Sequence, residues 1–244
     1  MKRLLMLLVA ALVAWPSFAQ FTADRPGAST GPSVVNRGVF QWEQGMQYDG
    51  DGHEGSYTFS NTLLRYGLFD GVEVRLGGDA FLMDGDIYFS GLTFGTKIGL
   101  YEGRDAVPAI SLMANLAIPG TASAGWDVDH LAPSLYLLFE NTLSDNLSLG
   151  YNVGVEWNGF TAEPSAFVAL CLGASLTDRL GCFVESYNNL WGEEDNFYGA
   201  DFGLNYMVGE RVQLDLSAAL DVCDPAHCWA VSFGVAWQIT NPKR

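Results

Sequence analysis

The chain has 244 residues, 49% of them apolar and 13% aromatic, with 28 glycines and only 16% charged residues. Its 12 Lys and Arg against 28 Asp and Glu give a net charge of −16, which argues against a nucleic-acid partner because phosphates would be repelled. The length fits one large all-β domain as readily as two ordinary ones, and low charge with abundant rings and glycine suits a barrel whose outside is apolar.

The chain opens with "MKRLLMLLVAALVAWPSFAQ": Lys2 and Arg3, an apolar run to Trp15, then Ser17-Phe18-Ala19 before Gln20. This is the layout of a secretory signal peptide, so residues 1–19 are expected to be removed on export; a retained anchor would need a longer run. Losing Lys2 and Arg3 leaves 10 cations against 28 acids, a net charge of −18. Gly and polar residues interrupt every later apolar segment, so if a membrane is crossed, strands must do it.

Residues 20–38 contain "FTADRPGASTGPSVVNRG", where Pro26, Pro32 and three glycines deny the backbone a regular ladder. They read as an irregular arm, either a loose periplasmic tail or a plug folded into a barrel. From Val39 to about residue 240, period-two alternation recurs in twelve segments: 39–48, 57–68, 72–82, 88–100, 107–118, 131–141, 147–157, 164–175, 180–188, 197–207, 211–221 and 229–239. Several of them match the roughly 9 to 11 residues of a tilted membrane strand and exceed the five or six of an ordinary globular one. Tight connections ("LFDGV", "LSDNL", "LTDRL", "MVGERV") alternate with longer polar ones, as short periplasmic turns alternate with longer extracellular loops in outer-membrane barrels.

"LSLGYNVGVEWNG" (147–159) shows the pattern: Leu147, Leu149, Tyr151, Val153, Val155 and Trp157 on one side, Ser148, Gly150, Asn152, Gly154 and Glu156 on the other. A soluble sandwich would bury the apolar side under a second sheet, whereas a barrel turns it to lipid. Segment lengths, loop alternation and aromatics near strand ends (Tyr48, Tyr66, Tyr101, Trp157, Trp237) favour lipid. The expected fold is all-β, an antiparallel transmembrane β-barrel of about twelve strands. Its expected place is the outer membrane of a Gram-negative bacterium, with membrane lipid and the barrel-assembly machinery as partners and association into homo-oligomers left open.

The other side of the strands carries Glu43, Asn61, Arg65, Glu73, Arg75, Asp79, Lys97, Asn115, Asn152, Glu156, Glu185, Asp201, Asn205 and Asp215, expected to line the pore. Twelve strands leave a lumen between the filled small barrels and the open porins, so these groups should narrow it. Arg65 and Arg75 flank the "LFDG" turn nearly symmetrically. They should meet across a hairpin and require carboxylates such as Glu43, Glu73 or Asp215. Such a set either selects solutes by sign and size or only neutralises a filled lumen.

The long loops are acidic: Asp49, Asp51 and Glu54; Asp84 and Asp86; Asp127 and Asp129; Glu163; Glu193, Glu194 and Asp195; Asp221 and Asp224. Either their mouth favours cationic or neutral solutes, or the carboxylates serve solubility or divalent bridging to surface lipid. His53, His130 and His227 lie in the same loops, and "DGDGHEG" imitates a calcium loop but puts Ser60 where the bidentate glutamate belongs, so no metal and no cofactor is expected. Cys223 and Cys228 enclose a loop containing Pro225, which suits a disulfide at an exposed tip; Cys171 and Cys182 could pair across their hairpin only in one register. No G-x-S-x-G elbow and no strand His beside a Ser occurs, so no catalytic residues are expected.

"TADRPG" (22–27), "GVFQWEQGMQY" (38–48) and "TLLRYGLFDGVEVRLGG" (62–78) resemble outer-membrane β-barrel transporters of the family described as a MetA-pathway of phenol degradation, a group related to the channel that secretes functional amyloid. The later strands "LSLGYNVGVEWNG" and "RVQLDLSAAL" are similar too. The resemblance implies a twelve-stranded barrel transporting a solute or polypeptide, and hydrophobic or aromatic small molecules by the family's description. The chain has no coiled-coil segment before the barrel, unlike the amyloid exporter. The expected function is passage of small solutes through a narrow charged lumen; a sealed structural or adhesive barrel and a barrel lipid hydrolase are the alternatives.

Overall fold

The computed structural model describes residues 21–50, 55–192 and 196–240. The expected signal peptide, Asp51, His53 and Glu54, and the run Glu193, Glu194 and Asp195 lie outside the described residues. Within them are thirteen antiparallel strands: β1 (Val39–Gly50), β2 (Gly55–Phe69), β3 (Val72–Met83), β4 (Asp86–Phe89), β5 (Leu92–Tyr101), β6 (Ala109–Ile118), β7 (Ala132–Ser144), β8 (Leu147–Glu156), β9 (Ser165–Ser175), β10 (Leu180–Leu190), β11 (Phe197–Met207), β12 (Val212–Asp221) and β13 (Trp229–Thr240). Consecutive strands pair, except that β4 pairs with β3 alone and β3 pairs onward with β5; β13 returns to β1, so twelve of them close a barrel. Closure leaves no unpaired edge, which is the condition for strands to cross lipid.

β4 is the extra strand, and it corrects the expected segment 88–100. Asp84 and Gly85 both take positive φ (52° and 86°), making a two-residue turn that folds β4 back on β3 with Met83 opposite Asp86. The chain then breaks at Gly91 (φ 89°) before β5 starts at Leu92. The segment is thus two strands in different roles, a short hairpin above the barrel and a barrel strand.

The alternation sorts the two faces. On β8, Asn152 is 2% exposed and its neighbour Val153 is 51% exposed. Phe94, Leu135, Leu170, Phe202, Leu216 and Phe233 are likewise uncovered on other strands, so an apolar belt surrounds the barrel with no second sheet over it. Tyr151 on this face stacks on Phe139 of β7 with ring centroids 4.9 Å apart. Trp157 follows the end of β8 and donates its indole N–H to the Ala162 carbonyl at 3.2 Å.

The lumen is uneven around its circumference. Buried side chains of β1 to β5 are mostly charged or amide, whereas Met113, Leu138, Phe167 and Ala169 are buried inward on β6, β7 and β9. In segments 131–141 and 164–175 apolar residues therefore occupy both faces, and the alternation there is weak.

Candidate functional site

Strand register builds the site. Arg65 on β2 lies directly opposite Arg75 on β3, and Glu73 lies opposite Lys97 on β5. Glu43, Arg65, Glu73 and Lys97 have no exposed surface. Two facing guanidinium groups in such a place need carboxylates on both. Arg65 Nε and Nη2 donate to Glu73 at 2.9 Å each, and Nη1 donates to Glu43 at 2.9 Å. Arg75 Nη1 lies 3.5 Å from Glu73.

The third carboxylate comes from the arm. Asp24 receives Arg75 Nη1 at 2.5 Å and Lys97 Nζ at 2.9 Å, and pairs with Arg65 Nη1 at 3.2 Å. Three cations thereby meet three carboxylates, so a buried cluster carries no formal excess charge. Burial acts to raise the Asp24 pKa, but Arg65, Lys97 and Arg75 outweigh it and hold that carboxyl well below the usual carboxylate range.

Lumen side chains also satisfy the arm's backbone, which has no ladder of its own. Glu43 accepts from the backbone N–H of Asp24 and Arg25 (3.1 and 3.2 Å), Glu73 from Val35 (2.7 Å), and Glu185 from Ala28 and Ser29 (2.9 and 2.8 Å). Asn152 accepts from Thr30 N–H at 2.8 Å and donates to the Thr30 carbonyl at 2.9 Å. The Ser111 hydroxyl donates to the Pro32 carbonyl, and Lys97 Nζ also reaches the Gly31 and Ser33 carbonyls at 3.0 and 3.2 Å.

Arg25 forms the second anchor. It donates to Asn61 at 2.6 Å, to Ser232 at 2.9 Å and to Asp215 at 3.3 Å. This corrects the expectation for Asp215: its ion-pair partner is Arg25 of the arm rather than Arg65 or Arg75. Gly45 and Gly234 are register partners across β1 and β13, and a β-carbon on either would stand 2.1 or 2.4 Å from the Arg25 side chain. The two glycines leave the groove in which the guanidinium lies.

The remaining expected residues face the lumen around this network, and Asp79 joins it through Asn61. Asp79 accepts from Asn61 at 2.7 Å, Glu156 from the Tyr136 hydroxyl, and Asn115 donates to Ser134 at 3.4 Å. Asn205 lies over Gly181, and Asp201 is buried. Residues the sequence reading missed are Asp24 and Arg25, together with the buried amides and hydroxyls Gln41, Ser111, Gln213, Ser232 and Gln238. Gln41 and Gln238 bond each other at 3.1 Å across β1 and β13, a signal available from their alternation with apolar neighbours.

Two cavities flank the arm. One, of about 960 Å³, lies at the long-loop end and is bordered by Asp49, Asp84, Trp126, Asp201 and Asp221. The other, of about 1020 Å³, lies at the tight-turn end and is bordered by Asp145, Asp178, Glu210 and Arg211. Asp24, Arg25, Pro26 and Thr30 border both. All four cysteines are free thiols, Cys223 and Cys228 exposed at the loop tip. Cys171 faces Glu185 and Cys182 faces Ala174, so that register does not bring Cys171 and Cys182 opposite one another.

The sequence profile described as "Putative MetA-pathway of phenol degradation" matches residues 23–241, the arm as well as every strand. The chain belongs to that family. No curated protein matches it by sequence. Among solved structures the barrel is similar to an outer membrane channel from Pseudomonas putida F1, at 12% identity and TM-score 0.66, over 88% of this chain and 99% of that one. It is also similar to the NanC porin (7% identity, TM-score 0.61, 81% of this chain and 100% of that one) and the KdgM porin (8%, 0.55, 82% and 98%). At these identities the likeness is one of fold, that of an outer-membrane β-barrel.

Proposed function

We propose that the protein is an outer-membrane channel for small solutes, with a lumen narrowed by Arg65, Arg75, Lys97 and their carboxylates and closed at rest by residues 21–38 acting as a plug. The observation that carries this reading is the pair of cavities, about 960 and 1020 Å³, separated within one closed barrel by the arm. The family description supports small aromatic or hydrophobic solutes, and the carboxylates at the long-loop end support neutral or cationic ones. The channel and porin descriptions of the similar barrels support passage rather than catalysis.

Single-channel recording in planar bilayers with solutes of graded size tests it. The intact barrel is expected to conduct weakly, and a variant lacking residues 21–37 to conduct several-fold more. If both insulate, the channel reading fails. The complete burial of Glu43, Arg65, Glu73 and Lys97 favours a second reading, a structural barrel whose lumen stays sealed, and the same recording separates the two.

A further inference from the structure

The cavity at the long-loop end contains one buried group that the arm leaves unmatched. Asp201 on β11 lies opposite Glu185 on β10 and Ala219 on β12. It is 6% exposed, lines that cavity, and its Oδ1 has no hydrogen-bond partner among the described residues. The Glu185 carboxylate beside it is engaged by Ala28 N–H, Ser29 N–H and the Ser29 hydroxyl, and Ala219 offers no donor. Asp24 has three cations and Asp215 has Arg25; Asp201 forms no such pair among the described residues. A carboxylate with so little exposed surface beside a second carboxylate is costly to keep charged, and a cation entering the cavity relieves that cost where a proton does not.

Neighbouring rings indicate which cation. Tyr187, the next inward residue on β10, lies flat over Gly199 of β11, where a β-carbon would stand 2.4 Å from the ring. The Phe197 ring is 5.7 Å from it, centroid to centroid. Both rings border the cavity, as do Trp126 and Trp229. Aromatic faces attract ammonium groups through the ring quadrupole. A divalent metal needs several oxygen ligands, and the described residues contain no cluster of three metal-ligating side chains.

We propose that Asp201, with Tyr187 and Phe197, forms a binding site for a small organic ammonium ion of arylalkylamine size. The assignment rests on the channel reading, since it makes this cavity part of a solute's route. Calorimetric titration of the purified full barrel in detergent with benzylammonium chloride, against benzyl alcohol as the neutral isostere, tests it. Wild type is expected to bind benzylammonium saturably and at least about tenfold more tightly than the alcohol, a ratio set by one charge-assisted contact. Asp201→Asn is expected to lose about tenfold in affinity, while Glu210→Gln, at the opposite cavity, leaves it unchanged. Equal affinity for the two probes, or an unchanged Asp201→Asn protein, overturns the site; if that variant does not fold, the wild-type comparison decides alone. A barrel that conducts but does not prefer the ammonium loses the site and keeps the channel. One that binds it yet insulates loses the channel and keeps the site.

Discussion

Gly45 and Gly234 face each other where β1 meets β13, and the Arg25 guanidinium occupies the space their β-carbons would take. Gly45→Val is therefore expected to unseat Arg25 while leaving the strand ladder intact, since Val suits a strand. The measurement is single-channel conductance, which should rise towards that of the arm-deleted barrel; an unchanged value would show that the arm does not close the lumen.

Arg65 touches Glu43, Glu73 and Asp24 together. Arg65→Gln leaves three buried carboxylates short of a cation, at a cost of about 3–5 kcal/mol in unfolding free energy. Where the doubly neutralised Arg65→Gln, Arg75→Gln barrel still folds, reversal potentials in a salt gradient should move towards cation selectivity. A stable variant with unaltered selectivity would remove both residues from the solute path.

Asp24 gives the arm a defined pH response. Because its folded pKa is depressed by Arg65, Lys97 and Arg75 against the opposing effect of burial, the stabilisation it contributes is complete above the ordinary carboxylate pKa. That stabilisation is lost as pH falls through the lower, folded value. Conductance should stay low through neutral and mildly acid solution and rise only below the ordinary carboxylate range. In Asp24→Asn it should be high at all pH values; an Asp24→Asn barrel that conducts as weakly as wild type at neutral pH would contradict the clamp.

Val153 and Asn152 are adjacent residues on opposite faces of β8. Val153→Arg is expected to destabilise the barrel by about 2–4 kcal/mol in urea titrations in vesicles, the cost of a cation on the lipid face near the midplane. A neutral outcome would mean that lipid does not cover this face.

Burial, followed by the carboxylates of Asp221, Asp224 and Asp49, pushes the Cys228 thiol up. In a Cys223→Ser variant, iodoacetamide should therefore modify Cys228 slowly at neutral pH and faster above the ordinary thiol range, because the thiolate is the reacting form. In wild type exported to an oxidising compartment, Cys223 and Cys228 are expected to close a disulfide, detected as protection from alkylation until a reductant is added.

Residue patterning made the barrel legible because a period of two is a local property: Asn152 and Val153 reveal their faces without knowledge of the strands beside them. The same symmetry about a tight turn puts Arg65 opposite Arg75. It failed at β4, where Asp84-Gly85 carried a hairpin signal, and at Leu138 and Phe167, where both faces are apolar. The arm is opaque for a deeper reason. Pro26, Pro32 and three glycines have no period, so Asp24 and Arg25 acquire partners only through contacts 18 to 207 positions away. Asp215 reads as one of the candidate partners of the strand arginines because its observed partner, Arg25, lies in a segment with no readable geometry.

Arg25 spans the seam of the cylinder: it reaches Asp215 and Ser232 on one side of the junction between first and last strands and Asn61 on the other. A segment made before every strand of the barrel thus finds its full set of anchors only once the strand made after all the others has joined the ring. The arm acts as a rivet across a suture, so its seating reports that assembly is finished, and an unfinished sheet has nowhere to fasten it.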